Sequence, residues 1–201
     1  STFKIWNTLI AIECGVISGD EEVVYRWDGK VRDIADWNRD LSLKEAFQVS
    51  CVPAFQDLAR AIGPERMKFW LDTISYGDGD TSSGADVFWL PAPGRKTLRI
   101  TPRDQAQRMC ELLTAKLPFS ERSRAALGDM MRARTTPRGA LYGKTGSGAD
   151  ASGRYVLGWY VGYVESGGAT YAFACALKGS GVMGKDARAA VETALTELGL
   201  L

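Results

Sequence analysis

The N-terminal stretch carries apolar residues at the spacing of a buried helix. Over residues 2–14 the apolar side chains recur every three or four positions, at Phe3, Trp6, Leu9, Ile10 and Cys14. Side chains at this spacing share one face of an α-helix. Because the stretch is apolar on most of its faces, the pattern predicts a helix in the middle of the domain.

Helix signals dominate the chain up to about residue 135. Ser42 followed by Glu45 forms a capping box, and Ser120 is a second capping residue. Prolines at positions 53, 64 and 102 are typical of a first helical turn. These signals predict helices over 42–48, 53–62, 64–74, 101–116 and 120–134, with a surface loop at 76–86 and a short strand at 97–100.

The period of the apolar pattern then changes from about 3.6 to 2. Alternating residues predict strands over 141–145, 155–164 and 170–177, and the S-G-G between the last two strands predicts a hairpin turn. Helices packed on antiparallel strands make an α+β fold, a central antiparallel sheet flanked by helices. We expect one domain over 1–201, with a helical block at about 1–135, sheet strands at about 139–178 and a C-terminal helix at about 185–198.

The composition is that of an ordinary globular domain and gives no sign of a nucleic-acid or membrane partner. The 201 residues are 45% hydrophobic and 24% charged, with a formal net charge of +1. We therefore expect no nucleic-acid partner. No apolar run approaches the roughly 18–20 residues of a membrane span, so no membrane partner is expected either, and no signal peptide is visible.

The absence of histidine narrows the chemistry. It excludes Ser-His-Asp and Cys-His catalysis and every His-ligated zinc site, and we expect no metal. The base of a nucleophilic enzyme would then be Lys, Asp, Glu, Tyr or an amino terminus. The four cysteines lie far apart in apolar contexts and are predicted to be buried free thiols, with a disulfide left open.

Three short motifs carry candidate chemistry. They are S-x-x-K at Ser1 and Lys4, S-x-V at Ser50 and Val52, and K-T-G beginning at Lys144. Each motif alone is ordinary: the first is a chance pair at a helix start, and Ser50 alone would be read as a helix cap. Together, in this order, they are typical of penicillin-recognising serine enzymes.

Beyond these motifs, the sequence resembles the class D (oxacillinase-type) serine β-lactamases. The resembling stretches are S-T-F-K-I-x-N-T-L-I-A-I-E, W-D-G-K, Q-V-S-C-V-P-A-F-Q, Y-G-D, F-W-L and G-W-Y-V-G-Y-V. The resemblance implies a β-lactamase/transpeptidase-like fold and the hydrolysis of β-lactam antibiotics, of the penicillin and oxacillin type, in the bacterial periplasm or outside the cell. In that family strands precede the S-x-x-K serine, and we expect those strands to lie outside this sequence.

The resemblance implies four catalytic side chains and no separate cofactor. Ser1 would be the acylated nucleophile, and Lys4, carrying carbon dioxide as N6-carboxylysine, would be its base. Ser50 would relay a proton toward the leaving nitrogen beside Lys144. The backbone N–H groups of Ser1 and Ser147 would form the oxyanion hole.

The resemblance also implies a substrate-binding set: Thr145, Gly146, Arg188, Val52 and Trp89. Thr145 and Arg188 would hold the substrate carboxylate, and Gly146 would allow a ligand close to the backbone. Val52 would shield the carbamate, and the Trp89 indole N–H would donate to it. The alternatives are a solvated helix position for Arg188 and a core or surface aromatic for Trp89.

Two positions depart from the family pattern. Asp78 stands where the family has asparagine in Y-G-N, and we interpret Tyr76 and Asp78 as structural loop residues. Ser147 replaces a bulky apolar residue, but an oxyanion contact made by the backbone would survive this change.

Competing functions stay open from the sequence. A β-lactam sensor or penicillin-binding domain shares these motifs but stays acylated, and a transpeptidase would usually carry S-x-N instead of S-x-V. A nucleophile at Ser1 activated by its own α-amine, and an inert fragment lacking the N-terminal strands, are the other readings. We expect a monomer or homodimer.

Overall fold

A computed structural model of the protein describes every residue from 1 to 201. The helices are α1 (Lys4–Glu13), α2 (Leu43–Gln48), α3 (Val52–Ile62), α4 (Pro64–Thr73), α5 (Pro102–Leu113), α6 (Glu121–Met131) and α7 (Gly184–Glu197). The strands are β1 (Val23–Tyr25), β2 (Leu41–Ser42), β3 (Arg132–Thr135), β4 (Gly139–Ala149), β5 (Tyr155–Ser166) and β6 (Ala169–Lys178).

The main sheet has four antiparallel strands in the order β3-β4-β5-β6. On β4 and β5, Lys144 lies opposite Val161 and Thr145 lies opposite Tyr160. Successive side chains of a strand point to opposite faces, so the side chains of Lys144 and Thr145 leave β4 on opposite faces of the sheet. The α+β architecture predicted from the sequence, an antiparallel sheet flanked by helices, is confirmed.

Each face of the sheet has its own hydrophobic cluster. The larger cluster joins the helices between α1 and α6 to one face, and α1 lies inside it with Ile5, Trp6 and Leu9 fully buried. The smaller cluster lies between α7 and the other face, where Tyr160 packs with Ala187 and Val191. The prediction that the first helix occupies the middle of the domain is therefore confirmed.

The predicted helix caps are formed. The Ser42 hydroxyl accepts from the Glu45 N–H while the Glu45 carboxylate accepts from the Ser42 N–H, which satisfies two donors at the start of α2. Ser120 accepts from the Ser123 N–H at the start of α6. Gly63, with φ of +84°, separates α3 from α4 in a conformation that suits glycine.

Three local predictions are wrong. The helix predicted over 120–134 ends at Met131, because Arg132–Thr135 pairs with β4 as an edge strand. Residues 97–100 are irregular instead of a strand. The block at about 1–135 contains the small sheet of β1 and β2, which was not predicted, because its strands are only three and two residues long and too short for a periodic signal.

The cysteines are all free, and only one of them is buried. Cys51 is buried and Cys14 and Cys175 are half-buried, whereas Cys110 is exposed on α5. The prediction of buried thiols is therefore wrong for Cys110, which stands on the solvent side of an amphipathic helix. None of the helices is both long and apolar enough to cross a membrane.

Candidate active site

The start of α1 brings Ser1 and Lys4 together. The Lys4 N–H donates to the Ser1 carbonyl oxygen at 3.2 Å, so the two residues are one turn apart. Their side chains meet, with Lys4 Nζ 3.0 Å from Ser1 Oγ. This is the distance at which a base can take a proton from a hydroxyl group.

The Lys4 amine is enclosed by apolar groups. Its side chain is 0% exposed, and Nζ lies 5.4 Å from the centroid of the Phe55 ring. Burial lowers the pKa of Lys4 well below its ordinary value, and the nearby Lys144 ammonium lowers it further. A lysine in these surroundings is readily neutral, and only the neutral amine accepts a proton or reacts with an electrophile.

Ser50 occupies the turn between α2 and α3 in an unusual backbone conformation. Its φ of +55° lies in the left-handed region, which costs a residue with a side chain about 1–2 kcal/mol. The turn is held by the N–H groups of Ser50 and Cys51, which donate to the carbonyls of Phe47 and Ala46. Backbone strain of this kind clusters at functional sites.

Strand β4 carries Lys144 to this turn from 94 positions away in the chain. Lys144 Nζ donates to Ser50 Oγ at 3.0 Å and to the Thr145 carbonyl at 3.1 Å. The side chain is buried, with Nζ 5.7 Å from the centroid of the Phe47 ring. Burial lowers the pKa of Lys144 to about 8. A second serine–lysine pair therefore lies beside the first.

Gly146 brings β4 close to the start of α1. A Cβ atom at this position would lie 3.2 Å from Thr2 Cγ2 and 3.4 Å from Ser1 N. The missing side chain thus lets the strand approach the nucleophile, with Ser147 next along β4. The Ser147 hydroxyl accepts from the Gly184 N–H at 2.9 Å, so its side chain anchors the first residue of α7.

Helix α7 begins directly against this segment and presents Arg188 one turn later. A Cβ atom on Gly184 would lie 2.8 Å from both the Gly146 carbonyl oxygen and Thr145 Cβ. Arg188 Nε donates to Glu192 Oε1 at 2.6 Å. Its Nη2 faces the Ala133 carbonyl of β3 at 3.5 Å.

A cavity of about 250 Å³ opens beside Lys144, Thr145 and Arg188. Its wall is completed by Phe47, Gln48, Met130, Met131, Arg132, Ala133, Gly143 and Tyr160. Ser1, Lys4 and Ser50 do not line it. The four predicted catalytic side chains therefore form the serine–lysine pairs, and of these only Lys144 also lines the cavity, together with Thr145 and Arg188 of the predicted binding set.

Trp89 lies against Phe3, the residue that precedes Lys4. The two rings stack with their centroids 5.4 Å apart, and the tryptophan is 7% exposed. Its Nε1–H is buried without a hydrogen-bond partner, which is rare for a donor in a protein interior. Val52 is half-buried at the first position of α3. The orphaned donor and the lowered pKa of Lys4 fit the N6-carboxylysine that the family resemblance implies.

The Y-G-D segment makes contacts within its own loop and with α1. The Tyr76 ring packs against Phe3 and Trp6, and it is 1% exposed. The Asp78 carboxylate accepts from the Arg99 N–H at 3.1 Å, and the Asp78 N–H donates to the Arg99 carbonyl at 3.0 Å. Both residues thus have structural contacts in this loop.

Two polar residues at the site were not identified from the sequence. Glu192 holds Arg188, and its spacing of four positions on a predicted helix is a signal that could have found it. Tyr160 lines the cavity with a buried hydroxyl that has no partner. Its position depends on strand register, which the sequence pattern does not specify at this level. No three His, Cys, Asp or Glu side chains in the chain are grouped to hold a metal ion.

Comparison with known proteins identifies the family. Residues 1–197 match the family described as the penicillin binding protein transpeptidase domain. The probable beta-lactamase YbxI of Bacillus subtilis (strain 168) is 39% identical over 186 residues, which are 92% of this chain and 67% of that protein. Beta-lactamase OXA-19 of Pseudomonas aeruginosa is 39% identical over 175 residues, 87% of this chain and 64% of that protein.

Solved structures agree with these relatives. The structure of BPu1 beta-lactamase superposes on the whole of this chain and on 80% of its own chain, with a TM-score of 0.89 and 38% identity. A class D beta-lactamase from Bacillus subtilis superposes with a TM-score of 0.90 at 35% identity, over the same shares of the two chains. The protein belongs to the penicillin-binding protein transpeptidase domain family and, within it, to the class D β-lactamases.

One relative is a regulatory protein and not a β-lactamase. The regulatory protein BlaR1 of Bacillus licheniformis is 31% identical over 179 residues, which are 89% of this chain and 29% of that protein. The chain therefore spans about two thirds of the length of the β-lactamase relatives and a smaller part of this regulator.

Proposed function

We propose that this chain hydrolyses β-lactam antibiotics through an acyl-enzyme formed on Ser1. The observation that carries the proposal is the pair of serine–lysine contacts made by two buried lysines, Ser1 with Lys4 and Ser50 with Lys144, each at 3.0 Å. Two lysines with lowered pKa values beside two hydroxyl groups can move protons near neutral pH without histidine.

In the first half-reaction Ser1 Oγ attacks the lactam carbonyl carbon. A C–O bond forms, the ring C–N bond breaks, and the ring-opened substrate becomes an ester of Ser1. Lys4, at 3.0 Å from Oγ, is the group placed to receive the hydroxyl proton. Its apolar enclosure disfavours the charged ammonium and so keeps the amine neutral, the form that can react with carbon dioxide.

We include in this proposal that Lys4 carries carbon dioxide. As N6-carboxylysine, the group supplies a carbamate oxygen as general base. Among the chain's own residues, the unpaired Trp89 indole N–H is the donor available to hold it. Val52 is assigned the role of shielding the carbamate from water.

Ser50 and Lys144 are assigned to the leaving nitrogen. Lys144 Nζ donates to Ser50 Oγ, so the serine hydroxyl hydrogen is free to point at the nitrogen as the C–N bond breaks. The serine passes its proton to that nitrogen and recovers one from Lys144, whose pKa near 8 makes it a ready donor at neutral pH. A water molecule then hydrolyses the ester, which releases the ring-opened acid and restores Ser1.

The remaining residues are assigned to binding. The backbone N–H groups of Ser1 and Ser147 would receive the developing oxyanion, a contact worth about 2.7–4 kcal/mol per donor in other enzymes. Thr145 and Arg188 would hold the substrate carboxylate, since both line the cavity beside Lys144. Gly146 is assigned to binding because its missing side chain lets β4, which carries Thr145, lie close to Ser1.

The wider parts of the proposal draw on the family. We propose that the substrates are penicillins of the oxacillin type, that the activity gives antibiotic resistance, and that the protein works in the periplasm or outside the cell. The β-lactam is its partner, as monomer or homodimer, with no nucleic acid or membrane and no cofactor besides the carbon dioxide on Lys4.

The proposal is tested by intact-protein mass spectrometry after mixing with benzylpenicillin, with and without bicarbonate. We expect an adduct of one penicillin that clears within the time course and clears faster with bicarbonate. A folded sample without any adduct would contradict the assignment of Ser1 as nucleophile. The Ser1→Ala variant is the control for adducts at other positions.

A second candidate function is a β-lactam sensor that stays acylated. The similarity to the regulatory protein BlaR1 favours it. The same experiment separates the two functions, because an adduct that persists in bicarbonate supports the sensor, whereas an adduct that clears supports the hydrolase.

A further inference from the structure

Arg188 is held by a carboxylate on its own helix. Arg188 Nε donates to Glu192 Oε1 at 2.6 Å, across one turn of α7. The second carboxylate oxygen of Glu192 accepts from Arg134 Nη1 at 3.1 Å. Since Arg134 belongs to β3, Glu192 connects the helix to the edge strand. This second contact holds the Glu192 carboxylate in the position from which it accepts from Arg188.

This contact occupies one edge of the guanidinium group and leaves another open. Nε donates to Glu192, and Nη2 donates one long hydrogen bond, of 3.5 Å, to the Ala133 carbonyl. The two terminal nitrogens are the fork through which arginine binds a carboxylate with two parallel hydrogen bonds. Glu192 therefore binds the guanidinium group through Nε alone, which leaves Nη1 and the second hydrogen of Nη2 for a ligand in the cavity.

The cavity next to this fork is built for an anion. Its wall carries the cations Arg132, Lys144 and Arg188, and no carboxylate is among its lining residues. The Tyr160 hydroxyl lies on the same wall, with the residue 1% exposed and no hydrogen-bond partner. The cationic lining of the cavity therefore favours a carboxylate ligand.

We propose that Glu192 is a positioning residue that fixes the Arg188 guanidinium for the substrate carboxylate. The inference rests on the proposed function, because it concerns the site for the substrate carboxylate. In it, Glu192 fixes the position of the Arg188 side chain without touching the substrate. A free arginine side chain samples many rotamers, and binding a ligand then includes the cost of ordering it. Glu192 removes most of that cost before the substrate arrives.

The kinetic test compares two substitutions at position 192 with a control on the same helix. We expect Glu192→Ala to raise KM for benzylpenicillin about three- to tenfold with kcat within twofold, from the ordering cost of one side chain. Glu192→Gln keeps an oxygen that accepts from Arg188 Nε, so its KM should stay near that of the parent. Glu197→Ala removes an exposed glutamate of α7 and should change neither constant.

A double substitution tests whether the effect passes through Arg188. If it does, Glu192→Ala adds nothing to KM once Arg188→Ala is present. A further increase in the double variant, or an unchanged KM in Glu192→Ala alone, would overturn the inference and leave the proposed function intact. If the protein stays acylated and does not turn over, the variants are compared by the second-order rate constant of acylation instead of by KM and kcat.

A readout without substrate separates this inference from the proposed function. The Nε–H resonance of Arg188 is assigned by its loss in Arg188→Lys, and its hydrogen exchange is followed by NMR. We expect slow exchange in the parent and in Glu192→Gln, and faster exchange in Glu192→Ala. Equal exchange in all three proteins would reject the positioning role, whether or not the protein reacts with β-lactams.

Discussion

Two serine–lysine pairs lie side by side in the site, and they are built differently. Ser1 and Lys4 are neighbours on one helical turn, whereas Ser50 and Lys144 are joined across 94 positions by an inter-helix turn and a strand. Both contacts are 3.0 Å long, both lysines are buried, and each amine lies near a phenylalanine ring.

The two lysines differ in what surrounds the amine. Lys144 keeps a second acceptor, the Thr145 carbonyl, and its pKa is lowered to about 8. Lys4 has the Ser1 hydroxyl as its hydrogen-bond partner, and the neighbouring Lys144 charge adds to the effect of burial on its pKa. The same pair of residue types can therefore supply a base and an acid. The amine with fewer hydrogen-bond acceptors, Lys4, is more readily neutral, and the amine with an additional acceptor, Lys144, more readily keeps its proton.

The largest expected effect follows from removing the base. We expect Lys4→Ala to lower kcat for benzylpenicillin by a factor of about 10³ or more, as for loss of a general base, in a protein that remains folded. Steady-state hydrolysis and circular dichroism measure the two properties. Full turnover in this variant would show that Lys4 has no part in the mechanism.

The second pair is tested at its serine. We expect Ser50→Ala to slow acylation by a factor of about 10², because Lys144 then lacks the hydroxyl through which it reaches the leaving nitrogen. Stopped-flow mixing with a chromogenic cephalosporin measures the acylation rate. The control is Ser147→Ala, whose side chain binds the Gly184 N–H and should leave that rate within a few-fold of the parent. An unchanged rate in Ser50→Ala would remove Ser50 from proton transfer.

The lowered pKa of Lys144 predicts a stability that depends on pH. In the folded state the Lys144 amine loses its proton near pH 8, whereas in the unfolded state it keeps the proton up to about pH 10.5. The unfolded state therefore binds more protons between these values, so stability rises with pH across that window and the penalty is complete below pH 8. The difference of the two pKa values corresponds to about 3 kcal/mol at most.

Urea unfolding of Lys144→Met measures this penalty. We expect the variant to be more stable than the parent at pH 7, with the difference shrinking toward pH 10. Lys178→Met, at an exposed position on β6, is the matched control and should show no such pH dependence. A difference that stays constant between pH 7 and pH 10 would mean that the Lys144 amine is not destabilised by its burial.

The smallest expected effect concerns substrate binding. We expect Arg188→Ala to raise KM for penicillins several-fold with little change in kcat, since the proposed contact of the arginine is with the substrate carboxylate and not with the reacting bond. Comparing benzylpenicillin with its methyl ester sharpens the test, because the ester lacks the charge that the arginine is proposed to bind. The same KM increase for both compounds would exclude a carboxylate contact.

The sequence predicts the parts of this molecule that depend on local chemistry. The buried helix α1, the Ser42 cap, the long strands and the S-x-x-K pair all follow from spacings within a few residues. Residues brought together by the sheet register, such as Tyr160, have no local signal. The edge strand Arg132–Thr135 was missed for the same reason, because its partner strand decides its conformation.

A carbon-13 NMR spectrum recorded with labelled bicarbonate tests whether Lys4 is the lysine that carries carbon dioxide. We expect one carbamate carbon in the parent that disappears in Lys4→Ala and persists in Lys144→Ala, and that rises with bicarbonate in parallel with activity. A carbamate that depends on Lys144, or full activity without a carbamate signal, would contradict the different roles assigned to the two lysines.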